Sequence, residues 1–355
     1  MIGNGTWPVY GHDATVHLLQ RTLPSPSADN SAQHGFGGPR HAYLFVGAQG
    51  IGKSTLATVY ARALLCTAPS ERPCGVCRSC RLIQSGNHPD FRLVAPVDRE
   101  GAADRGNGLL RVEQASAIIR DSILSPLEGR YKIFLLQDMQ QANESFANKL
   151  LKTLEEPPAH VILLLTASER SRLLPTIVSR CQVMEMQPVA PAAIEQALVQ
   201  HWQAESAHAQ LLARLAGGRL GWAVVQLTNG QFNAERQEQL ETLWKLAAAN
   251  RVQRLAFAEQ TAAKGSQPQI FKMLELWTTW WRDVLLAQAN CIDACSNIDL
   301  REEILRQAAR IPQETVQKYI QTLKRIEGYL HHTTNTRMAL DVLLLQLPKI
   351  RDYRN

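Results

Sequence analysis

The chain has 355 residues, 45% of them hydrophobic, a composition typical of a folded protein with room for two or three domains. No apolar run approaches the length that crosses a bilayer, and the N-terminus has no charged-then-apolar signal pattern, so we expect a cytoplasmic protein without a membrane partner. The net charge of +6 permits contact with nucleic acid but does not demonstrate it.

Short apolar strands alternate with helices in the first half of the chain. An amphipathic stretch at 12–23 and a polar Gly/Pro/Ser-rich loop at 24–40 precede them. Because the strands are apolar throughout, they suit a parallel sheet covered on both faces. The alternation predicts a doubly wound α/β domain. The predicted strands lie near 42–46, 91–95, 132–137, 161–166 and 182–186, and the helices near 53–65, 110–123 and 142–155.

A complete phosphate-loop motif, G-x-x-x-x-G-K-S, occupies residues 47–54 between the first strand and the first of these helices. Its glycines let backbone N–H groups face a phosphate. We expect Lys53 to reach the β- and γ-phosphates of ATP and Ser54 to bind Mg²⁺. The predicted nucleotide- and magnesium-binding residues are Gly47, Gly50, Gly52, Lys53, Ser54, Thr55 and Asp138.

Four of the seven cysteines lie within fifteen residues, with the spacing C-x7-C-x2-C-x2-C. Without a secretion signal, such a cluster favours a metal over disulfides. Four thiolates suit a closed, structural zinc site, whereas the cysteine run typical of iron–sulfur proteins is absent. Unmetallated buried thiols are the remaining alternative. The predicted zinc ligands are Cys66, Cys74, Cys77 and Cys80.

Asp138 follows the third strand, where a carboxylate beside a phosphate loop holds Mg²⁺; a solvated turn aspartate is the alternative. Many ATPases place a glutamate next, but here the residue is Met139, which cannot orient a water molecule. Thr166, at the end of the fourth strand, could hydrogen-bond the γ-phosphate or its water, or equally satisfy local backbone. The sequence therefore predicts good nucleotide binding and leaves ATP hydrolysis by this chain uncertain.

After Pro188 and Pro191 the pattern is helical, with breaks at Gly217-Gly218 and Asn229-Gly230. Three tryptophans, Trp277, Trp280 and Trp281, have helical spacing, which is more typical of helix packing or a subunit contact than of base stacking.

Several motifs together resemble the clamp-loader subunits of bacterial DNA polymerase III, within the AAA+ superfamily. They are HAYLF before the phosphate loop, the four-cysteine insert, GNHPD at 86–90, NKLLKTLEEPP at 148–158 and Ser179-Arg180-Cys181. The resemblance runs over essentially all of residues 7–350. It implies an AAA+ domain at 1–188 with a zinc module at 66–80, a helical lid domain at 189–235 and an all-α collar at 236–355.

Two kinds of subunit in this family are candidates for this chain. The motor subunits, gamma and tau, hydrolyse ATP, whereas delta prime supplies an arginine to its neighbour. The short chain, Met139, and Leu220 at the position of the motor's nucleotide-sensing arginine favour the delta prime type, although Arg219 is adjacent and the phosphate loop is intact. A hydrolytically active gamma/tau-type subunit remains the alternative, and an unrelated P-loop DNA repair ATPase a remoter one.

The resemblance implies a hetero-pentamer with gamma/tau and delta that loads the sliding clamp onto primer–template DNA. It makes Arg180 the arginine finger that acts in trans on a neighbour's ATP, against the alternative of a surface arginine. Helix 110–123, with Arg111 and Arg120, resembles the family's DNA-tracking helix, and a solvated helix face is the alternative. The implied cofactors are ATP, Mg²⁺ and Zn²⁺.

Overall fold

The computed structural model describes residues 7–24, 38–106, 108–330 and 335–350. Most of the predicted polar loop, residues 25–37, lies outside them. The chain forms two compact units, one of residues 1–203 with 216–223 and one of residues 204–215 with 224–355. The proposed division of the helical part at 235 into a lid and a collar stays a prediction. No described helix is both long and apolar enough to cross a membrane.

A five-stranded, entirely parallel sheet forms the centre of the first unit, with the strand order β2-β3-β4-β1-β5. Every residue of β1, β3 and β4 is buried, as their continuous apolar runs predict. The predicted α/β class and parallel sheet are confirmed. The strands are β1 (Ala42–Val46), β2 (Phe91–Val94), β3 (Lys132–Leu136), β4 (Val161–Ala167) and β5 (Gln182–Glu185).

Helices cover both faces of this sheet. Alternate strand residues point to opposite sides, so Phe45 packs with α2 in one apolar cluster, while Leu44 packs with α4 and α5 in the other. The phosphate loop therefore has a rigid layer of side chains beneath it. The helices of this part are α1 (Asp13–Arg21), α2 (Lys53–Leu65), α3 (Arg78–Gln84), α4 (Val112–Ile123), α5 (Glu144–Glu155), α6 (Pro175–Val178) and α7 (Pro191–Trp202).

Helices alone follow β5 in the described part of the chain. The predicted breaks are confirmed, since Gly217-Gly218 and Asn229-Gly230 lie between helices. Trp277, Trp280 and Trp281 are at most 1% exposed within the second unit, so packing accounts for their spacing. These helices are α8 (Ser206–Leu215), α9 (Leu220–Thr228), α10 (Phe232–Ala248), α11 (Arg251–Lys264), α12 (Gln267–Gln288), α13 (Arg301–Arg310), α14 (Gln313–Leu330) and α15 (Thr336–Leu345).

Candidate functional site

The phosphate loop joins the carboxyl end of β1 to the first turn of α2, as the motif predicts. Gly50 and Gly52 have φ angles of +81° and +112°, a left-handed conformation that favours glycine. Gly52 is the N-cap of α2, so the free N–H groups of that helix end lie at the loop. A helix N-terminus of this kind attracts an anion such as a phosphate.

Lys53 is buried and turned onto the loop itself. Its Nζ donates hydrogen bonds to the carbonyl oxygens of Gly47, at 2.6 Å, and Ala48, at 2.9 Å. Burial lowers the pKa of Lys53 to about 8, the negative charge of Asp138 opposes that shift, and the positive charge of Arg105 adds to it. These two carbonyl oxygens therefore hold the Lys53 ammonium in place. A bound phosphate would take their place as its hydrogen-bond partner.

Asp138 and Thr166 are brought together beside the loop. The Asp138 N–H donates to Thr166 Oγ1 at 3.0 Å, and Thr166 is fully buried at the end of β4. Asp138 has a left-handed backbone with φ of +54°, which aspartate tolerates better than most residues. This contact realises the local-backbone alternative for Thr166, and its contact with a phosphate or water stays a prediction.

An arginine that sequence reasoning missed forms an ion pair with the Asp138 carboxylate. Arg105 directs both Nε and Nη2 at Asp138 Oδ2, each at 2.8 Å. The aspartate side chain is 8% exposed and the arginine side chain 46%. Its position in the polar loop before α4 carries no motif, so only the fold reveals the pair.

Two side chains carry oxygen donors of the kind that a magnesium ion binds, Ser54 in the first turn of α2 and Asp138 after β3. Ser54, in the first turn of α2, is half-buried, and Asp138 supplies a carboxylate that already holds a cationic group, the Arg105 guanidinium. Mg²⁺ prefers hydroxyl, carboxylate and phosphate oxygens. Thr55 is exposed in the same turn, and its predicted role remains untested.

Met139 lies in the apolar core instead of facing the phosphate loop. It is 2% exposed and belongs to the cluster that covers one face of the sheet. It begins a short 3-10 turn, Met139–Gln141, in which Gln140 accepts a hydrogen bond from the Ser168 N–H at 3.1 Å. The position after Asp138 thus supplies no group that could accept a proton from water.

The start of α9 rests on the phosphate loop. The Gly221 N–H donates to the Gly50 carbonyl at 2.8 Å, and a Cβ on Gly221 would approach that oxygen equally closely. The Arg219 Nε donates to the Ala216 carbonyl, and its guanidinium lies 5.3 Å from the centre of the Trp222 ring. Arg219 is therefore engaged with its own segment in this structure.

All four predicted zinc ligands converge. Each Sγ of Cys66, Cys74, Cys77 and Cys80 lies within 4.8 Å of the others, and those of Cys66 and Cys77 are 3.9 Å apart. Thiolates bound to one zinc ion at about 2.3 Å in a tetrahedron are separated by roughly 3.8 Å. Backbone N–H groups also point at the sulfurs, with Cys74, Cys77 and Cys80 each donating at 3.4 Å. The geometry fits a zinc ion.

Hydrogen bonds favour a thiolate within this cluster. Burial acts to raise the pKa of Cys77, but hydrogen bonds from Cys80 and Thr67 outweigh it and bring that pKa down to about 6. Burial is also the leading effect at Cys66, where it raises the pKa. A metal ion would favour the thiolate form of all four ligands.

The cysteine cluster is tied to the sheet through α3. Cys77 caps that helix, and the next residue, Arg78, pairs with Glu128 at 3.0 Å. Asp90 of the GNHPD motif accepts hydrogen bonds from the N–H groups of Leu127, Glu128 and Gly129. This motif therefore orders the connection between α4 and β3.

Arg180 lies at the amino end of the parallel strands, whereas the phosphate loop lies at their carboxyl end. It precedes Gln182, the first residue of β5, which pairs with Tyr43 near the start of β1. The phosphate loop follows Val46 at the other end of β1, which is about 13 Å along the strand from Ala42. Arg180 therefore does not join the residues around this chain's own loop.

The Arg180 side chain is held at the surface. It pairs with Glu155 at 2.7 Å and donates to the Thr176 carbonyl at 2.9 Å. It lines an open cavity of about 660 Å³ together with Arg40, His41, Leu154, Glu155 and Gln182. The side chain is 34% exposed, so a partner could reach it.

The two arginines noted on helix α4 differ. Arg111 precedes the helix, and its Nη2 donates to the Asp98 carbonyl at 2.8 Å, whereas Arg120 is exposed near its end. Their contact with DNA stays a prediction.

Comparisons with known proteins identify the class. Residues 30–190 match the family described as "DNA polymerase III, delta subunit", and residues 230–349 match its C-terminal counterpart. The chain is 32% identical over 314 residues to DNA polymerase III subunit delta′ of Bacillus subtilis, covering 86% of this chain and 90% of that protein. The chain belongs to the delta′ family of DNA polymerase III subunits.

The chain is also similar to a longer protein and to a solved structure of lower sequence identity. DNA polymerase III subunit tau of Escherichia coli is 30% identical over 331 residues, covering 86% of this chain and 49% of that protein, so the chain spans about half its length. A solved gamma subunit-related protein of Thermotoga maritima gives a TM-score of 0.44 at 13% identity, over 94% of this chain and 97% of the other. That likeness adds nothing to the assignment, which rests on the sequence matches.

Proposed function

We propose that this delta′-family chain is an AAA+ subunit of a clamp loader, that it binds ATP with Mg²⁺, and that it supplies Arg180 to the nucleotide of a neighbouring subunit. The observation that carries the proposal is the position of Arg180 at the amino end of the strands, away from the chain's own phosphate loop at their carboxyl end. A guanidinium suits this role because it is planar, permanently charged and able to fork across phosphate oxygens.

The proposed partners are gamma/tau motor subunits and delta in a hetero-pentamer, the sliding clamp, and primer–template DNA. The zinc module would be structural, because four cysteine ligands leave no open position for chemistry. The helices of residues 236–355 would form the collar that holds the pentamer together.

Arg180 would need to leave Glu155 before it could serve a neighbour. Their ion pair is partly exposed, with side-chain exposures of 34% and 48%, so it contributes about 1 kcal/mol or less. Contact with a neighbour's phosphate would replace one anionic partner by another. Because Arg180 exchanges the carboxylate of Glu155 for a phosphate, little free energy is lost when the ion pair breaks. Arg180 could then turn to the neighbouring subunit without the unfolding of any helix or strand.

The chain's own site would bind nucleotide and hydrolyse it slowly. The N–H groups of the loop and Lys53 would hold the phosphates, and Ser54 and Asp138 would hold the metal ion, which neutralises phosphate charge when bound. Met139 offers no group to orient water.

A hydrolytically active, gamma/tau-type ATPase is the second candidate. The intact loop, with Lys53 and Asp138 both beside it, is the observation that favours it. Steady-state ATP turnover by the isolated chain separates the two when it is compared with turnover by an isolated motor subunit, since both then lack a neighbour's finger.

Reconstitution of the pentamer tests the proposal. We expect Arg180→Ala to slow clamp- and DNA-stimulated ATP hydrolysis on the order of a thousandfold at the one motor site that it serves, while the pentamer still assembles. Arg180→Lys should rescue poorly because an ammonium lacks the planar fork. Arg172→Ala, which removes an exposed arginine from the preceding 3-10 turn, is the matched control.

Two further readouts separate the finger role from a structural one. ATP affinity of the isolated chain should be unchanged in Arg180→Ala, since the residue lies away from its own loop. Hydrolysis at the wild-type rate by a loader carrying Arg180→Ala would refute the trans role and return Arg180 to the surface-arginine alternative.

A further inference from the structure

We propose that Arg105 is a built-in counter-ion of Asp138, which must leave the carboxylate before a divalent cation can bind there, and that it thereby sets the metal dependence of nucleotide binding. The inference rests on the proposed nucleotide-binding function and concerns a residue that no motif assigns. It follows from the geometry of the pair, the segment that carries the arginine, and the charges around them.

The geometry makes Arg105 a competitor of the metal ion. Its Nε and Nη2 converge on a single oxygen, Asp138 Oδ2, at 2.8 Å each. That carboxylate is the acidic group that a phosphate-loop protein uses to hold its Mg²⁺. A guanidinium and a divalent cation on the same carboxylate repel each other, so each weakens the binding of the other.

Burial makes the carboxylate require a partner. The Asp138 side chain is 8% exposed, and an unpaired buried charge is costly. Arg105 supplies that partner in the chain without nucleotide. Its own side chain is 46% exposed, so it can return to water at little cost once another cation takes over.

The segment around Arg105 is shaped to present it. Val97 and Leu109 exchange backbone hydrogen bonds at 3.0 and 2.9 Å, which closes the loop between β2 and α4. The side-chain amide of Gln141, three residues after Asp138, donates to the Arg105 carbonyl at 2.9 Å. The arginine is therefore held to the Asp138 turn by its backbone as well as by its side chain.

The neighbouring charges agree with a role for Arg105 as a competitor of the metal ion at Asp138. They do not favour a role for Arg105 as a phosphate ligand. Lys53 is turned onto the carbonyl oxygens of Gly47 and Ala48, and Arg105 adds a second positive charge nearby. A phosphate entering the loop would meet Lys53 first. The incoming metal ion then needs Asp138, which Arg105 still holds.

ATP affinity with and without Mg²⁺ tests the inference on the full chain by calorimetry. In EDTA, wild type and Arg105→Ala should bind ATP equally. In Mg²⁺, Arg105→Ala should bind about fivefold more tightly, since it no longer loses a partly exposed ion pair. Arg92→Ala is the control, because it removes an arginine of similar exposure, 49%, from an ion pair with Asp121 and should change neither value.

Two results would overturn the role. Equal affinity of wild type and Arg105→Ala in Mg²⁺ would mean that the pair does not compete with the metal. Weaker binding by Arg105→Ala in both EDTA and Mg²⁺ would make Arg105 a phosphate ligand instead.

A nucleotide-free measurement keeps the inference separate from the proposed function. If wild type failed to bind ATP in either buffer, the proposed nucleotide function would fail, and Mn²⁺ alone would then decide the role of Arg105. Arg105→Ala should bind Mn²⁺ more tightly than wild type, and Asp138→Asn, which tolerates the left-handed backbone, should abolish the gain. Equal Mn²⁺ affinity in wild type and Arg105→Ala would overturn the inference.

Discussion

The cysteine cluster and the phosphate loop lie at the two ends of helix α2, yet they are prepared for their ligands in opposite ways. The four sulfurs already stand at nearly the separation that one metal ion requires, with N–H groups directed at them. At the loop, Lys53 is bound to the Gly47 carbonyl and Asp138 is bound to Arg105. At the cysteine cluster the candidate ligand atoms face one another, whereas at the phosphate loop the polar side chains are paired with other groups of the chain.

The difference shows what each site is suited to do. Four converging thiols suit a structural metal, which would hold α3 to the end of α2. A site whose groups are paired with each other binds more weakly, because ligand and metal must replace those contacts. The second arrangement suits a nucleotide that comes and goes.

Removal of one cysteine is the strongest test of the first half of this comparison. We expect wild type to contain one zinc ion per chain, and Cys77→Ser to lose it and about 4 kcal/mol or more of stability. Metal analysis and thermal unfolding measure both. Cys291→Ser, which changes an exposed cysteine of the second unit, should change neither. Iron in place of zinc, or full zinc content in Cys77→Ser, would contradict the assignment.

The lysine tests the second half. Lys53→Ala should weaken ATP binding by about a hundredfold, because a charged hydrogen-bond donor to phosphate is worth roughly 3 kcal/mol. Calorimetry of the isolated chain measures it. Lys152→Ala removes an exposed lysine from the last turn of α5 and serves as the control. Equal affinities of Lys53→Ala and wild type would show that the loop does not bind nucleotide.

Met139 probes whether hydrolysis can be restored by one substitution. Because the side chain is buried in an apolar cluster, Met139→Glu should lose about 2 kcal/mol of stability without faster ATP turnover. Met139→Leu, which keeps size and polarity, should unfold at nearly the wild-type temperature. A stable Met139→Glu chain with raised turnover would place that side chain at the phosphate site instead.

The pH dependence of ATP binding gives the smallest effect. The pKa of Lys53 is lowered to about 8 in the nucleotide-free chain, and phosphate binding favours its charged form. Affinity should therefore be level below pH 8 and fall by up to about tenfold per pH unit above it. Lys53→Arg should abolish that fall, since arginine stays charged. A level profile to pH 9.5 in wild type would contradict the lowered pKa.

Sequence patterns predicted local features well. The five strands and the three helices predicted between them, α2, α4 and α5, were placed within two residues at each end, because apolar runs and their spacing are local signals. The cysteine cluster was found complete because its ligands lie on one short segment, so the fold has little freedom to separate them.

Contacts between distant segments could not be predicted in the same way. Arg105 and Asp138 are 33 residues apart in the chain, and nothing in the loop around Arg105 distinguishes it from a solvated arginine. The burial of Met139 depends on the left-handed turn at Asp138, which a strand-end pattern does not specify. The hydrogen bond from Gly221 to Gly50 likewise depends on how α9 packs, which no local signal encodes.

The hydrogen bond between Gly221 and Gly50 gives the molecule an optical probe. Trp222 is the next residue, half-buried, with a guanidinium over its ring, whereas Trp244, Trp277, Trp280 and Trp281 are buried in the core of the second unit. Indole emission shifts with the polarity and charge around the ring. A displacement of the phosphate loop would therefore reach a fluorophore through one hydrogen bond, against the emission of the other six tryptophans.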